Sequence, residues 1–260
     1  MRTEHYARIG RTMPSPLYGV LVEVGARDAG PQRLAARWRT PLLREWWLPA
    51  ALLLALWPHW AYVARRLVDR SDEPWGILAL ATVGVLLWRE RGELVTPPRA
   101  ALVASGALAV VAALAELVLP DLVAAAIAML AVGTVLVHAL RRPATALVVL
   151  LLLALPIIAS LQFSLGYPLR LLVAHASALL FSLLGVSATA AGASIVHDGT
   201  TVLIDAPCAG IGMLWIGSFV AALLSYLHAA DARRTLLNGV SAGLLVLLAN
   251  IARSVFLYFP

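Results

Sequence analysis

Cysteine occurs once in this chain, at Cys208, so no internal disulfide can form and cysteine usage says nothing about redox compartment. Charge is also scarce. Charged residues make up 13% of the chain against 61% hydrophobic ones, and lysine is absent, leaving arginine to supply nearly all the positive charge. A water-soluble domain carries about 25% charged residues. With a mean hydropathy of +0.86, the chain reads as a polytopic membrane protein. The arginines fall mostly in short segments between apolar runs, so the formal net charge of +6 marks topology and lipid headgroup contact rather than nucleic-acid binding. No cleavable signal is expected before Arg44, because scattered charges leave no apolar core there. A Gly-x-Ser-x-Gly element paired with a helix histidine is missing, which disfavours a serine intramembrane protease. A small-molecule transporter would need polar residues at mid-membrane depth on several helices and an internal repeat, and neither is found.

What is there is a succession of apolar segments. Residues 1–45 form an arginine-bearing tail, with Arg33, Arg37, Arg39 and Arg44 close to the first span, the mark of a cytoplasmic segment. Trp46 and Trp47 mark an interface. Spans are expected over 48–64, interrupted near Pro58 and His59, then over 75–88, 100–119, 122–140, 143–161, 207–228 and 235–259. The expected fold is therefore all-α and polytopic, with about seven spanning helices over residues 46–260. His59 is expected to be buried and bonded to a neighbour. Arg89, Arg91 and Arg99, and later Arg141 and Arg142, place their turns in the cytoplasm, while Pro120 and Asp121 lie outside.

Arg233 and Arg234, between the last two helices, also read as cytoplasmic, so residues 168–186 cannot cross once more. With Arg170, His175 and Ser177, that segment is expected to be an interfacial or re-entrant helix on the outer side, after an outer loop over 162–167. Asp198-Gly199 is the strongest short turn signal in the chain. A small outer β-hairpin is expected there, with Ile195 and Val196 facing residues 202–204. His197 beside the turn reads as a solvated loop histidine.

The run Asp205-Ala-Pro-Cys-Ala-Gly-Ile-Gly-Met-Leu-Trp215 opens the helix at 207–228. Pro207 suits a first helical position, and Asp205 or Thr201 can satisfy free backbone donors nearby. Cys208 then falls in the first turn, where the helix dipole favours a thiolate. A lone cysteine in an apolar protein is more often a small buried hydrophobe, so the neighbours decide. At ~1.5 Å per residue, Arg253 lies ~27 Å along its helix from Thr235, and Cys208 ~30 Å from His228. The two helices share a short connection and run antiparallel, so Cys208 and Arg253 come to the same depth near the outer surface. Asn250 lies one turn inward of Arg253 on the same face. A guanidinium there stabilises a thiolate, and later the oxyanion formed when the thiolate attacks a carbonyl. The rival reading of Arg253 is snorkelling to headgroups. Gly210, Gly212 and Gly217 leave room for another chain to approach this helix, and a substrate helix entering laterally is consistent with them.

Pro207-Cys-Ala-Gly-Ile211 resembles the cysteine motif of the exosortases and archaeosortases, the membrane-embedded cysteine transpeptidases of surface-protein sorting. Asn250-Ile-Ala-Arg253 resembles their arginine motif. The approach over 185–205 and Ser71-Asp-Glu-Pro-Trp-Gly-Ile77 are also similar, and the resemblance covers about 46–260. It implies an inner-membrane, multi-pass protein with a cytoplasmic N-terminus and an extracytoplasmic site. The implied partners are the C-terminal sorting signals of exported proteins, each a short Pro-containing motif followed by a membrane helix and basic residues, together with membrane lipids. No nucleic acid, cofactor or metal is implied. Cys208 would form a thioester with the substrate and Arg253 would be the second catalytic residue. The family pattern has a third basic residue after the arginine motif, whereas Pro260 stands seven residues beyond Arg253. His175 and His197 are the internal replacements to test, with Asn250 as a supporting residue. The alternative is a non-catalytic membrane subunit of a polysaccharide export or assembly system, which would tolerate Cys208→Ser.

Overall fold

The computed structural model describes residues 47–68, 75–205 and 209–258. The expected tail over 1–45, Trp46 of the interfacial pair, residues 71–74 of the family-like segment, and Pro207 with Cys208 lie outside the described residues.

Helices α1 (Trp47–Ala55) and α2 (Trp57–Val68) meet at Leu56, so the expected interruption falls just ahead of Pro58. Pro58 sits in the first turn of α2, where a missing N–H leaves no helical bond unmade. His59 is buried and its Nδ1 lies 3.1 Å from Glu116 Oε1, a bonded polar group as expected. Helices α3 (Trp75–Glu90), α4 (Arg99–Ala115) and α5 (Asp121–Ala139) follow. Ser105 Oγ on α4 donates to the Ala131 carbonyl of α5 at 2.7 Å, across a contact lined by small residues.

The segment expected as one span over 143–161 is instead broken. Helix α6 (Thr145–Leu153) stops ahead of Pro156, and α7 (Ile158–Leu183) then runs unbroken for 26 residues through Pro168. The expected outer loop over 162–167 is therefore helical, and the segment expected as a separate interfacial helix is the later part of α7. Two prolines have opposite outcomes, and their surroundings show why. At Pro156 a carbonyl freed by the break is received by a neighbour: Trp215 Nε1 donates to Leu153 O at 3.1 Å. Ala154 O approaches α3 so closely that a Cβ on Gly76 would lie 2.5 Å from it. Pro168 is exposed on α7, where Arg170 Nε donates to Gly166 O at 3.3 Å.

Three described helices, α5, α7 and α9 (Ala232–Tyr258), are long and apolar enough to cross a membrane by length and composition. Helices α4 and α8 (Ile211–Leu227) are apolar but shorter. Three of the expected seven spans thus meet that measure among the described residues, and the other segments are short or divided. At ~1.5 Å per residue, a helix the length of α3 reaches ~24 Å, less than a hydrocarbon core of ~30 Å. Leu117, Val118, Phe163 and Phe256 are turned outward, as a lipid-facing bundle requires. Leu147 and Leu150 of α6 are fully buried at the centre, among α3, α5 and α8.

After α7, Gly185 adopts φ +81° and Val186 N–H bonds the Phe181 carbonyl at 2.9 Å, a left-handed helix stop. Strands β1 (Ala188–Ala191), β2 (Ser194–His197) and β3 (Thr200–Leu203) then form an antiparallel sheet in that order. The expected hairpin is its β2–β3 half, with Ile195 opposite Val202. Asp198 and Gly199 have φ of +47° and +75°, the pair of left-handed residues that a two-residue hairpin turn requires. Strand β1 is an addition to that expectation.

Candidate functional site

Helices α8 and α9 are antiparallel neighbours held together by small residues. A Cβ on Gly217 would lie 2.8 Å from Val246 Cγ2, and one on Gly243 3.6 Å from Leu214 Cδ1. Nearer the connection, Asn238 Nδ2 donates to Ser225 Oγ at 2.8 Å. At the far end of this series, Gly210 meets Asn250. Gly210 caps the start of α8 at φ +78°, a conformation that favours glycine. A Cβ there would lie 3.0 Å from Asn250 Cγ, 3.1 Å from Nδ2 and 3.4 Å from Oδ1. Asn250 is 1% exposed, and its carbonyl accepts a bond from Ser254 Oγ at 3.0 Å. Next to it, Ile251 joins Val173 and Ala174 of α7 and Ile204, at the end of β3, in a buried cluster. The glycine of one sequence motif and the asparagine of the other are thus in contact.

Helix α8 begins at Ile211, four residues later than expected, and its cap residue is Gly210, which has no side chain to cap with. Asp205 and Thr201 are exposed. Cys208 belongs to the undescribed residues ahead of the turn. Arg253 is exposed on α9, one turn beyond Asn250. Of the three glycines expected to admit a substrate helix, Gly210 and Gly217 are instead covered by Asn250 and Val246 of the same chain. Nothing lies within 4 Å of a Cβ on Gly212.

His175 is exposed on α7, where its Nδ1 donates to the Leu171 carbonyl at 2.8 Å. His197 is anchored in the sheet rather than free in a loop. Its Nδ1 donates to the Ser187 carbonyl at 2.9 Å, and its Nε2 lies 3.4 Å from Asp198 Oδ2. A cavity of about 230 Å³ lies between Phe181 and the sheet, lined by Ile195, His197, Thr200 and Val202. Among the described residues, no three His, Cys, Asp or Glu side chains gather as metal ligands.

Two anchoring residues escaped the sequence. Trp215 supports the break ahead of α7, and its ring stacks on Phe219 at 5.5 Å. Arg142, read only as a topology mark, closes the other end of α8. Its Nη1 lies 3.1 Å from Glu90 Oε1, and its Nη2 donates to the carbonyls of Tyr226 and Leu227. Its guanidinium stands 4.5 Å over the Tyr226 ring. A cation at a helix C-terminus beside a carboxylate is the available signal, but only the fold puts Glu90 within reach.

Apolar helices enclosing a contact between Gly210 and Asn250 define a membrane-embedded helical protein whose two motifs come together at the start of α8. Over residues 68–259 the chain matches the family described as Transmembrane exosortase (Exosortase_EpsH), and it belongs to that family. The family is one of membrane-embedded cysteine transpeptidases. No curated protein and no solved structure matches the chain.

Proposed function

We propose that the chain is a cysteine transpeptidase that cleaves the C-terminal sorting signals of exported proteins on the extracytoplasmic side of the plasma membrane and passes them to a surface acceptor. The contact of Gly210 with Asn250 supports this reading most, because it joins the neighbourhood of Cys208 to that of Arg253. The Cys208 thiolate attacks the scissile carbonyl carbon, a C–S bond forms, and the carbonyl oxygen takes up the negative charge. Arg253 stabilises the thiolate first and the oxyanion next. The tetrahedral species then expels the amine of the downstream segment, which is protonated on leaving, and a thioester remains on Cys208. A nucleophile on the acceptor attacks the thioester and frees the thiol. Gly212 is the place left on α8 for a substrate helix to approach.

Arginine placement orients the chain with its N-terminus, Arg141, Arg142, Arg233 and Arg234 in the cytoplasm. Helices α6 and α7 then make one broken crossing to an outer sheet, which keeps the parity for which a separate interfacial helix was expected.

Labelling of Cys208 in intact cells with a membrane-impermeant thiol reagent, across a range of pH, tests this function. Fast labelling from outside that slows in Arg253→Ala is the expected result. Labelling that requires permeabilisation and ignores Arg253 leaves a non-catalytic membrane subunit, which would also tolerate Cys208→Ser.

A further inference from the structure

We propose that Asn250 is a positioning residue for Cys208 that acts through the left-handed turn at Gly210, an inference that rests on the roles given above to Cys208 and Arg253. Gly210 is restricted twice over. Its φ of +78° disfavours any side chain, and the Asn250 carboxamide occupies the space a Cβ would need, at 3.0 to 3.4 Å. Glycine has no side chain with which to cap a helix, so Gly210 cannot itself satisfy the free N–H groups at the start of α8. What stands against the turn is a side chain of the other motif.

Asn250 is itself held firmly. It is 1% exposed, Ser254 bonds its carbonyl, and Ile251 is packed against α7. Ile204, fully buried in the same cluster, precedes Cys208 by four residues in the sequence, and Gly210 follows it by two. Both flanks of the cysteine segment are therefore pinned to surfaces that α7 and α9 supply. Arg253 is carried on the same helix, one turn from Asn250. The rotation of α9 that seats the carboxamide against Gly210 also sets the rotational position of Arg253 on that helix. Truncating Asn250 changes that geometry without touching either reacting group.

The test is a cycle of four full-length proteins in native membranes: wild type, Asn250→Ala, Arg253→Ala and the double variant. Each is assayed for the rate of Cys208 alkylation by iodoacetamide from pH 5 to 10. An opposite charge nearby lowers a thiol pKa by ~1–3 units, so displacing it slows labelling near neutral pH about tenfold or more. The expected result is that Asn250→Ala raises the midpoint of the pH profile and that Arg253→Ala then adds nothing further. Gly210→Ala, which displaces the carboxamide from the opposite side, must reproduce the shift and serves if Asn250→Ala does not accumulate. A midpoint that Asn250→Ala leaves in place, or effects of the two variants that simply add, overturns the positioning role while leaving the roles of Cys208 and Arg253 standing. A wild-type profile indifferent to Arg253→Ala overturns both.

Discussion

The indole nitrogen of Trp215 donates to the carbonyl oxygen of Leu153 at 3.1 Å, and this bond ties the helix that follows the cysteine motif to the break ahead of α7. Both residues are buried. A carbonyl at a helix break has lost its own partner, and leaving it unpaired away from water costs ~1–3 kcal/mol. Trp215→Phe keeps the ring on Phe219 and removes the donor, so it should lower the midpoint of thermal unfolding in detergent. Trp88→Phe, on an exposed ring, should not.

Gly76 and Gly212 should behave as opposites. A methyl on Gly76 meets the Ala154 backbone at 2.5 Å, which neither element relieves without moving, and overpacking of this kind costs ~1–3 kcal/mol. A methyl on Gly212 meets nothing within 4 Å, so Gly212→Ala should leave stability unchanged or raise it by up to ~1 kcal/mol through helix propensity. Thermal unfolding of the two variants makes the comparison. A photo-crosslinker at position 212 should capture a substrate helix, whereas one at 217 should react with α9.

Arg141 and Arg142 look equivalent in the sequence and should not be. Arg142→Ala strips the carbonyls at the end of α8 of their donor and leaves Glu90 without its cation, a loss of ~1.5–3 kcal/mol for hydrogen bonds to a charged group. Arg141 is exposed, so Arg141→Ala should stay within ~0.5 kcal/mol of wild type. Denaturant unfolding of the two variants checks the difference.

Gly199 holds φ of +75° in the β2–β3 turn, where a β-branched residue is strained by ~1–2 kcal/mol. Gly199→Val should speed amide hydrogen exchange across β2 and β3 and leave exchange in α9 unaffected. Asp198→Asn, at φ +47°, should have no effect on either, because asparagine tolerates that conformation as well as aspartate.

Features decided by neighbours in the sequence were legible before the fold was seen. The interruption near Pro58, the Asp198-Gly199 turn with Ile195 opposite Val202, and the antiparallel pairing that joins the two motifs all rest on short-range chemistry or helix rise. Pro156 and Pro168 show where that ends. Both interrupt apolar runs, and the difference lies in Trp215, which donates to a carbonyl at one, and Gly76, which leaves room for another, 59 and 80 residues away from it, respectively. Strand β1 was hidden because Ala-Thr-Ala-Ala carries no β-branched alternation. The glycines on α8 announced a close approach but not which chain would make it. Asn250 could be placed level with the cysteine motif by counting turns, but its contact with Gly210 depends on how α9 is rotated.

The interlocking of α8 and α9 through Gly210, Gly217 and Gly243 has a consequence for how this protein responds to its bilayer. Lipid tails offer no hydrophobic force to press two apolar helices together, so a pair this close is held by its own surfaces. When the hydrocarbon thins or thickens, helices compensate by tilting or shifting. A pair locked by glycine contacts along its length must do so as one body. The spacing between Gly210 and Asn250 is then a property of the polypeptide and insensitive to lipid composition, while the depth of the pair follows the membrane.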